Sequence, residues 1–220
     1  MPRWVYIIII AQLWIVYTYA SIAKLYPDWL DASMAAQLME ARKDYWLVGD
    51  FLQQKWVHWC IAYFGILFDG LIIPALLYKP TRKTAFFISI FFHLFNSFIF
   101  HIGIFPYMSL AFTLFFFPPE TIRNIFLKGK QFYTGNEIIR PKYQKPILVF
   151  FGIYFIIQIA LPLRHWIIKD DVLWNEEGHR LSWRMMLRSK GGIINFKVID
   201  KETGLELPFN HREQLSRKQQ

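Results

Sequence analysis

WVYIIIIAQLWIVYTYASIA, residues 4–23, decides the fold class. A bilayer core takes about 20 apolar residues in helical form, and this run reaches that length directly after Met1-Pro2-Arg3. A cleaved signal peptide has a shorter apolar core and a small-residue cleavage site. This run is too long and too aromatic for one, so it reads as a spanning helix. It stops at Lys24, and Tyr26-Pro27-Asp28 closes it.

Similar runs recur along the chain. A second span is expected over Lys55–Tyr78, with Trp56 and Trp59 at its start, where an interfacial aromatic belt sits. A third runs from Thr84 to Phe100, and His101–Pro106 breaks it. Tyr107–Phe117 is short for a span and reads as tilted, re-entrant or longer than it looks. Pro146–Leu163 is the last, with Gln158 its one strongly polar residue. The expected fold is an α-helical membrane protein: a bundle of about four to five transmembrane helices over residues 1–163 and a polar tail over 164–220. In that tail Leu181–Ser189 and Ile193–Asp200 flank Lys190-Gly191-Gly192 and read as a β-hairpin, the start of a β-rich outer domain.

Between the first two spans, Leu30, Met34, Leu38 and Ala41 recur at helical spacing among charges. The pattern suits an amphipathic helix on the membrane surface or a loop helix against the bundle.

The composition agrees with a membrane class. Of 220 residues, 55% are hydrophobic and 19% aromatic, concentrated in these runs. The net charge of +9 sits in short loops beside them, which is how membrane proteins set orientation, so no nucleic-acid partner is implied. Lys79-Pro80-Thr81-Arg82-Lys83 and the basic segment 119–145 are expected on the cytoplasmic side. The acidic segment 26–54 and the tail from Arg164 are then outside, provided Tyr107–Phe117 crosses. The single cysteine, Cys60, excludes an intrachain disulfide and a Cys-based zinc site; among apolar neighbours it reads as packing.

Ionisable residues within spans are costly and mark candidate sites. Lys24 shares a face with Tyr17 and Ser21, one and two turns earlier. Beside apolar surface it reads either as a base with a lowered pKa or as a lysine snorkelling to the interface. Asp69, mid-span, needs a partner. His93, Asn96 and Ser97 lie at i, i+3 and i+4 on one face, lining a polar pocket or bonding across helices. His93 and His101 have no third ligand at metal spacing, so no metal is expected.

These residues carry a resemblance. Ala23-Lys24-Leu25 with Asp28-Trp29, then Asp69, then Phe92-His93 with Asn96-Ser97, resemble the vitamin K-dependent gamma-carboxylases and their bacterial relatives, the HTTM (horizontally transferred transmembrane) proteins. Ile102-Gly103 with Phe105, the proline after the aromatic run 115–117, the text Trp174-Asn-Glu-Glu-Gly-His-Arg180, and Ser182-Trp183 with Met185 continue it.

The resemblance implies oxidation of vitamin K hydroquinone by O₂, coupled to proton removal from glutamate and addition of CO₂, a carbon–carbon lyase activity. It makes Lys24 the base that deprotonates the hydroquinone and places His93 beside the quinone pocket. Tyr17, Ser21, Asn96, Ser97 and Phe105 would help form that pocket, with Asp69 a structural polar residue. It implies a glutamate-containing protein substrate and a bacterial inner-membrane location, with Lys24 and the tail outside. Family members carry further helices before the lysine helix, so the chain reads as a fragment, as one half of a split protein with a separately encoded N-terminal half, or as a degenerate relative, and is expected to be inactive alone. The alternatives are a non-enzymatic HTTM protein in transport, immunity or signalling, and a quinone-binding structural subunit.

Overall fold

The protein is described from a computed structural model, covering residues 3–131, 142–169, 172, 177–184 and 197–207. It divides into two compact units, Met1–Arg188 and Ser189–Gln220.

Among the described residues of the first unit, four helices are long and apolar enough to cross a membrane. They are α1 (Arg3–Ile22), α5 (Lys55–Leu77), α6 (Arg82–Phe100) and α9 (Gln144–Leu163). The protein is a multi-pass helical membrane protein, and these bounds fall within two residues of those read from the hydropathy pattern. Three short helices, α2 (Pro27–Leu30), α3 (Ser33–Glu40) and α4 (Gly49–Leu52), lie between α1 and α5.

Helices α1 and α5 pack antiparallel. Near the α1 N-terminus, Ile10 clusters with Ile72, Ile73 and Leu76 of α5. Near its other end the Ser21 hydroxyl donates to the Ile66 carbonyl at 3.0 Å. A Cβ on Gly70 would lie 3.2 Å from that hydroxyl, so a side chain there would press the two helices apart. Helix α1 therefore stops level with the middle of α5. Gly65, which faces Lys24, is ten residues past Lys55, about 15 Å along the helix.

The upper half of α5 is covered by α2–α4. Trp29 Nε1 donates to the Ala62 carbonyl at 3.0 Å, and Met34, Ala35, Met39 and Leu52 are buried. Of the two readings left open for this stretch, packing against the bundle is observed. A continuous helix is ruled out by Ala32, at φ 64°. The Ser33 hydroxyl and amide both donate to Asp31, restarting the helix and holding that carboxyl below its usual range.

The fourth apolar run begins earlier than expected, as α7 (Phe105–Thr113), and ends in a 3₁₀ turn, Leu114–Phe116. At twelve residues it extends under about 20 Å, less than a bilayer core of about 30 Å. It nevertheless runs back along α6. Tyr107 accepts a hydrogen bond from Ser97 at 2.8 Å, and the Phe117 ring stands 5.2 Å from Phe86 in the first turns of α6. Helix α8 (Pro119–Phe126) follows. Helix α9 runs parallel to α1, through a Trp4–Phe151 ring contact, Gln12 with Gln158 and Tyr154, and Tyr19 with the Ile159 carbonyl. A 3₁₀ turn, Arg164–Trp166, continues it.

The turn of the expected hairpin, Lys190-Gly191-Gly192, and most of its strands, 185–196, lie outside the described residues; only the start of its first strand is corrected. Residues 181–184 form a turn, with Leu181 at φ 61° and Trp183 at φ 56°, a left-handed backbone that no strand accepts. Within the second unit, β1 (Val198–Ile199) pairs antiparallel with β2 (Glu206–Leu207). The turn is therefore 200–205, where Asp200 accepts from the Glu202 and Thr203 amides and Gly204 takes φ 70°. Met185 and 173–176 of the Trp174 text also lie outside the described residues.

Candidate functional site

Stopping α1 halfway along α5 sets Lys24 inside the bundle rather than at an interface. Its side chain is 11% exposed, and its ammonium is paired with Asp69, itself 7% exposed. Nζ also donates to the Ala20 carbonyl at 3.2 Å, and the Trp29 ring centroid stands 5.7 Å away. The snorkelling alternative does not describe this lysine. Asp69 has the partner that a mid-span carboxylate requires. A buried ion pair holds together only when its remaining donors and acceptors are met, and the Ala20 carbonyl meets one of them.

A second polar pair lies beside the first. Tyr17, on the face of α1 that leads to Lys24, has its hydroxyl 2.9 Å from His93 Nε2. The tautomer sets which atom donates. The phenol also meets the Ser109 hydroxyl from α7. His93 is 1% exposed, packed edge-on against Phe68 and Phe92 and 6.4 Å from the Phe105 ring. Its Nδ1 is buried without a hydrogen-bond partner among the described residues, which is costly in an apolar interior unless a ligand supplies one.

Both pairs border one cavity of about 540 Å³ between α1, α5 and α6. Drug-sized ligands occupy pockets of about 300–1,000 Å³. Tyr17, Lys24, Asp69, His93 and Asn96 line it together with Phe105, and the rest is almost wholly apolar and aromatic. Phe64, Leu67 and Phe91 line it and are exposed, so the cavity is not closed off from the surface of the bundle.

The expected set is thus brought together except for two serines. Ser21 is turned onto the α5 backbone, and Ser97 ties α6 to α7. Cys60 is corrected as well: it is exposed and lines the cavity. Missing from the sequence reading was Ser109, whose only signal is a small hydroxyl in an aromatic run. Trp29 was noted as part of a motif, but its place over Lys24 was not. Just beyond α1, half-buried Tyr26 is pushed up to about 12 by burial and then by Asp28, so its phenol stays protonated at neutral pH.

Together these features define a polytopic helical membrane protein with a charged pair at the head of an apolar cavity. The HTTM domain model matches residues 1–120, and that of the vitamin K-dependent gamma-carboxylase lumenal domain matches residues 143–220. The chain belongs to the HTTM family. No solved structure matches it.

Proposed function

We propose that the chain is a vitamin K-dependent gamma-glutamyl carboxylase-like membrane protein whose cavity holds the hydroquinone form of vitamin K. The observation that carries this reading is the Lys24–Asp69 pair at the head of an aromatic-walled cavity, next to His93. Two further features support the fit. The lining suits a flat ring with a hydrocarbon tail, and His93 Nδ1 offers a hydrogen bond that no described residue meets.

Bound there, the hydroquinone would supply, with O₂, the basicity that lets a glutamyl side chain lose its γ-proton and add CO₂. Lys24 acts as the base through Asp69. In the paired state the ammonium has no lone pair. When Nζ passes a proton to the Asp69 carboxylate, the freed amine can accept one from a hydroxyl in the cavity. Net uptake of one proton leaves the lysine charged and the aspartic acid neutral. His93 and Tyr17 would offer hydrogen bonds to the bound hydroquinone, and Phe92 and Phe105 would supply aromatic surface against its ring. The apolar walls exclude water, which keeps a strong base from being quenched.

In this reading the basic turns 79–83 and 119–145 face the cytoplasm of a bacterial inner membrane. Lys24, the glutamate-containing substrate and an outer domain over 164–220 are on the other side. A second reading, a non-enzymatic HTTM protein, draws on the same pair. Lys24 and Asp69 join α1 to α5 and satisfy each other without a ligand.

Cys60 supplies the test. Vitamin K hydroquinone, added to membranes holding the chain, should slow maleimide labelling of Cys60 and should not do so in His93→Leu. Labelling that is indifferent to the hydroquinone would overturn the quinone reading.

A further inference from the structure

We propose that the end of the bundle opposite Lys24 is a docking surface for the headgroups of anionic phospholipids. Packing brings several chain segments to that end. Ile10, Ile72, Leu76, Ala85 and Phe116 form one buried cluster, so the start of α1, the end of α5, the start of α6 and the end of the α7 segment lie together. Phe117 on Phe86 delivers the chain into α8 at this level, and α9, parallel to α1, starts there.

The loops and helix ends so gathered carry Lys79, Arg82, Lys83, Arg123, Lys128, Lys130, Lys142 and Lys145, against Glu120 as the one acid among the described residues. Arg82 is occupied: its guanidinium donates to the Leu76 and Leu77 carbonyls and caps α5. The six lysines are all exposed, and none is in an ion pair among the described residues. Crowded like charges of one sign repel and need counter-charge.

Helix α8 shows where that charge lies. Ile122, Ile125 and Phe126 share one face at helical spacing, and Leu127 follows. Ile125, Phe126 and Leu127 are exposed at 60%, 62% and 45%, while Lys128 and Lys130 stand directly beyond. An apolar face bordered by lysines is the pattern of a helix lying at the headgroup boundary. Juxtamembrane clusters of four to eight basic residues attract anionic lipid, each worth on the order of fivefold in partition. Apolar insertion and charge in one segment select a lipid headgroup over a free phosphate. This inference does not depend on the chemistry at Lys24.

The purified full chain, offered equal amounts of phosphatidylglycerol and phosphatidylcholine with the same acyl chains, should retain the anionic lipid preferentially by native mass spectrometry. The preference should be about fivefold or more. It should fall as salt is raised from about 0.1 M to about 1 M, where screening shortens from about 10 Å to about 3 Å. Inorganic phosphate should not compete. Replacing Lys128, Lys130, Lys142 and Lys145 by Gln should remove most of the preference, whereas Lys43→Gln with Lys55→Gln, at the other end, should leave it intact. Equal retention of the two lipids, salt-independent preference, competition by phosphate, or an unchanged preference in the four-lysine variant would each overturn the proposal.

Discussion

Two clusters of polar side chains lie within the apolar helices, and they are built differently. One joins α1 to α9: Gln12 donates to Gln158 and accepts from Tyr154, at 3.3 and 3.0 Å. It is neutral, and Gln12 meets a partner with both its amide nitrogen and its oxygen. The other joins the α1 segment to α5 and α6 through Lys24–Asp69 and Tyr17–His93. It carries charge, leaves His93 Nδ1 without a partner among the described residues and borders a cavity. Hydrogen bonding between amides suffices to dock a helix in lipid. A buried ion pair often stabilises no more than apolar packing of the same volume, so substitution of the pair separates the proposed chemistry from a purely structural role.

Asp69→Leu should have the largest effect. It leaves the Lys24 ammonium buried and unpaired, at a cost of about 3–5 kcal/mol, read as loss of folded protein in detergent-unfolding curves. Lys24→Met with Asp69→Leu should regain most of that stability, because neither charge remains. If the double variant stays as unstable as the single one, the pair is structural and the contrast fails.

Gln12→Leu comes next, with a loss of about 1 kcal/mol. It should loosen α9 without altering protection of Cys60 by hydroquinone. Loss of that protection would show the two clusters acting as one. Ser97→Ala, which removes only the tie to Tyr107, should cost about 0.6 kcal/mol and also spare the cavity.

The helices were legible because a long apolar run has one solution in lipid: a helix that satisfies its own backbone. Lys24, Asp69 and His93 were legible for the complementary reason, since charge and imidazole are expensive there. What periodicity does not carry is depth and direction. Lys24 follows the last helical residue of α1, which in sequence looks like an interface. Only the antiparallel packing on α5 sets it at mid-depth. Cys60 looked like packing because apolar neighbours are the same whether a residue faces a core, a cavity or lipid. Ser21 and Ser97 share faces with site residues, yet a short hydroxyl bonds whatever backbone or side chain lies nearest. Residues 181–184 do not start the expected strand: alternation alone does not reveal left-handed backbone at Leu181 and Trp183. The turn at 200–205 carries its own signal, an Asp and a Gly four residues apart.

The most direct test follows the proton. Vitamin K hydroquinone bound anaerobically to the full chain at neutral pH should show the red-shifted absorbance of its anion, with Lys24–Asp69 taking the proton. Lys24→Ala and the stable Lys24→Met/Asp69→Leu variant should bind it, as judged by Cys60 protection, without that shift. The same spectrum in all three proteins, or no shift in any while Cys60 is protected, would contradict a proton-accepting role for the pair.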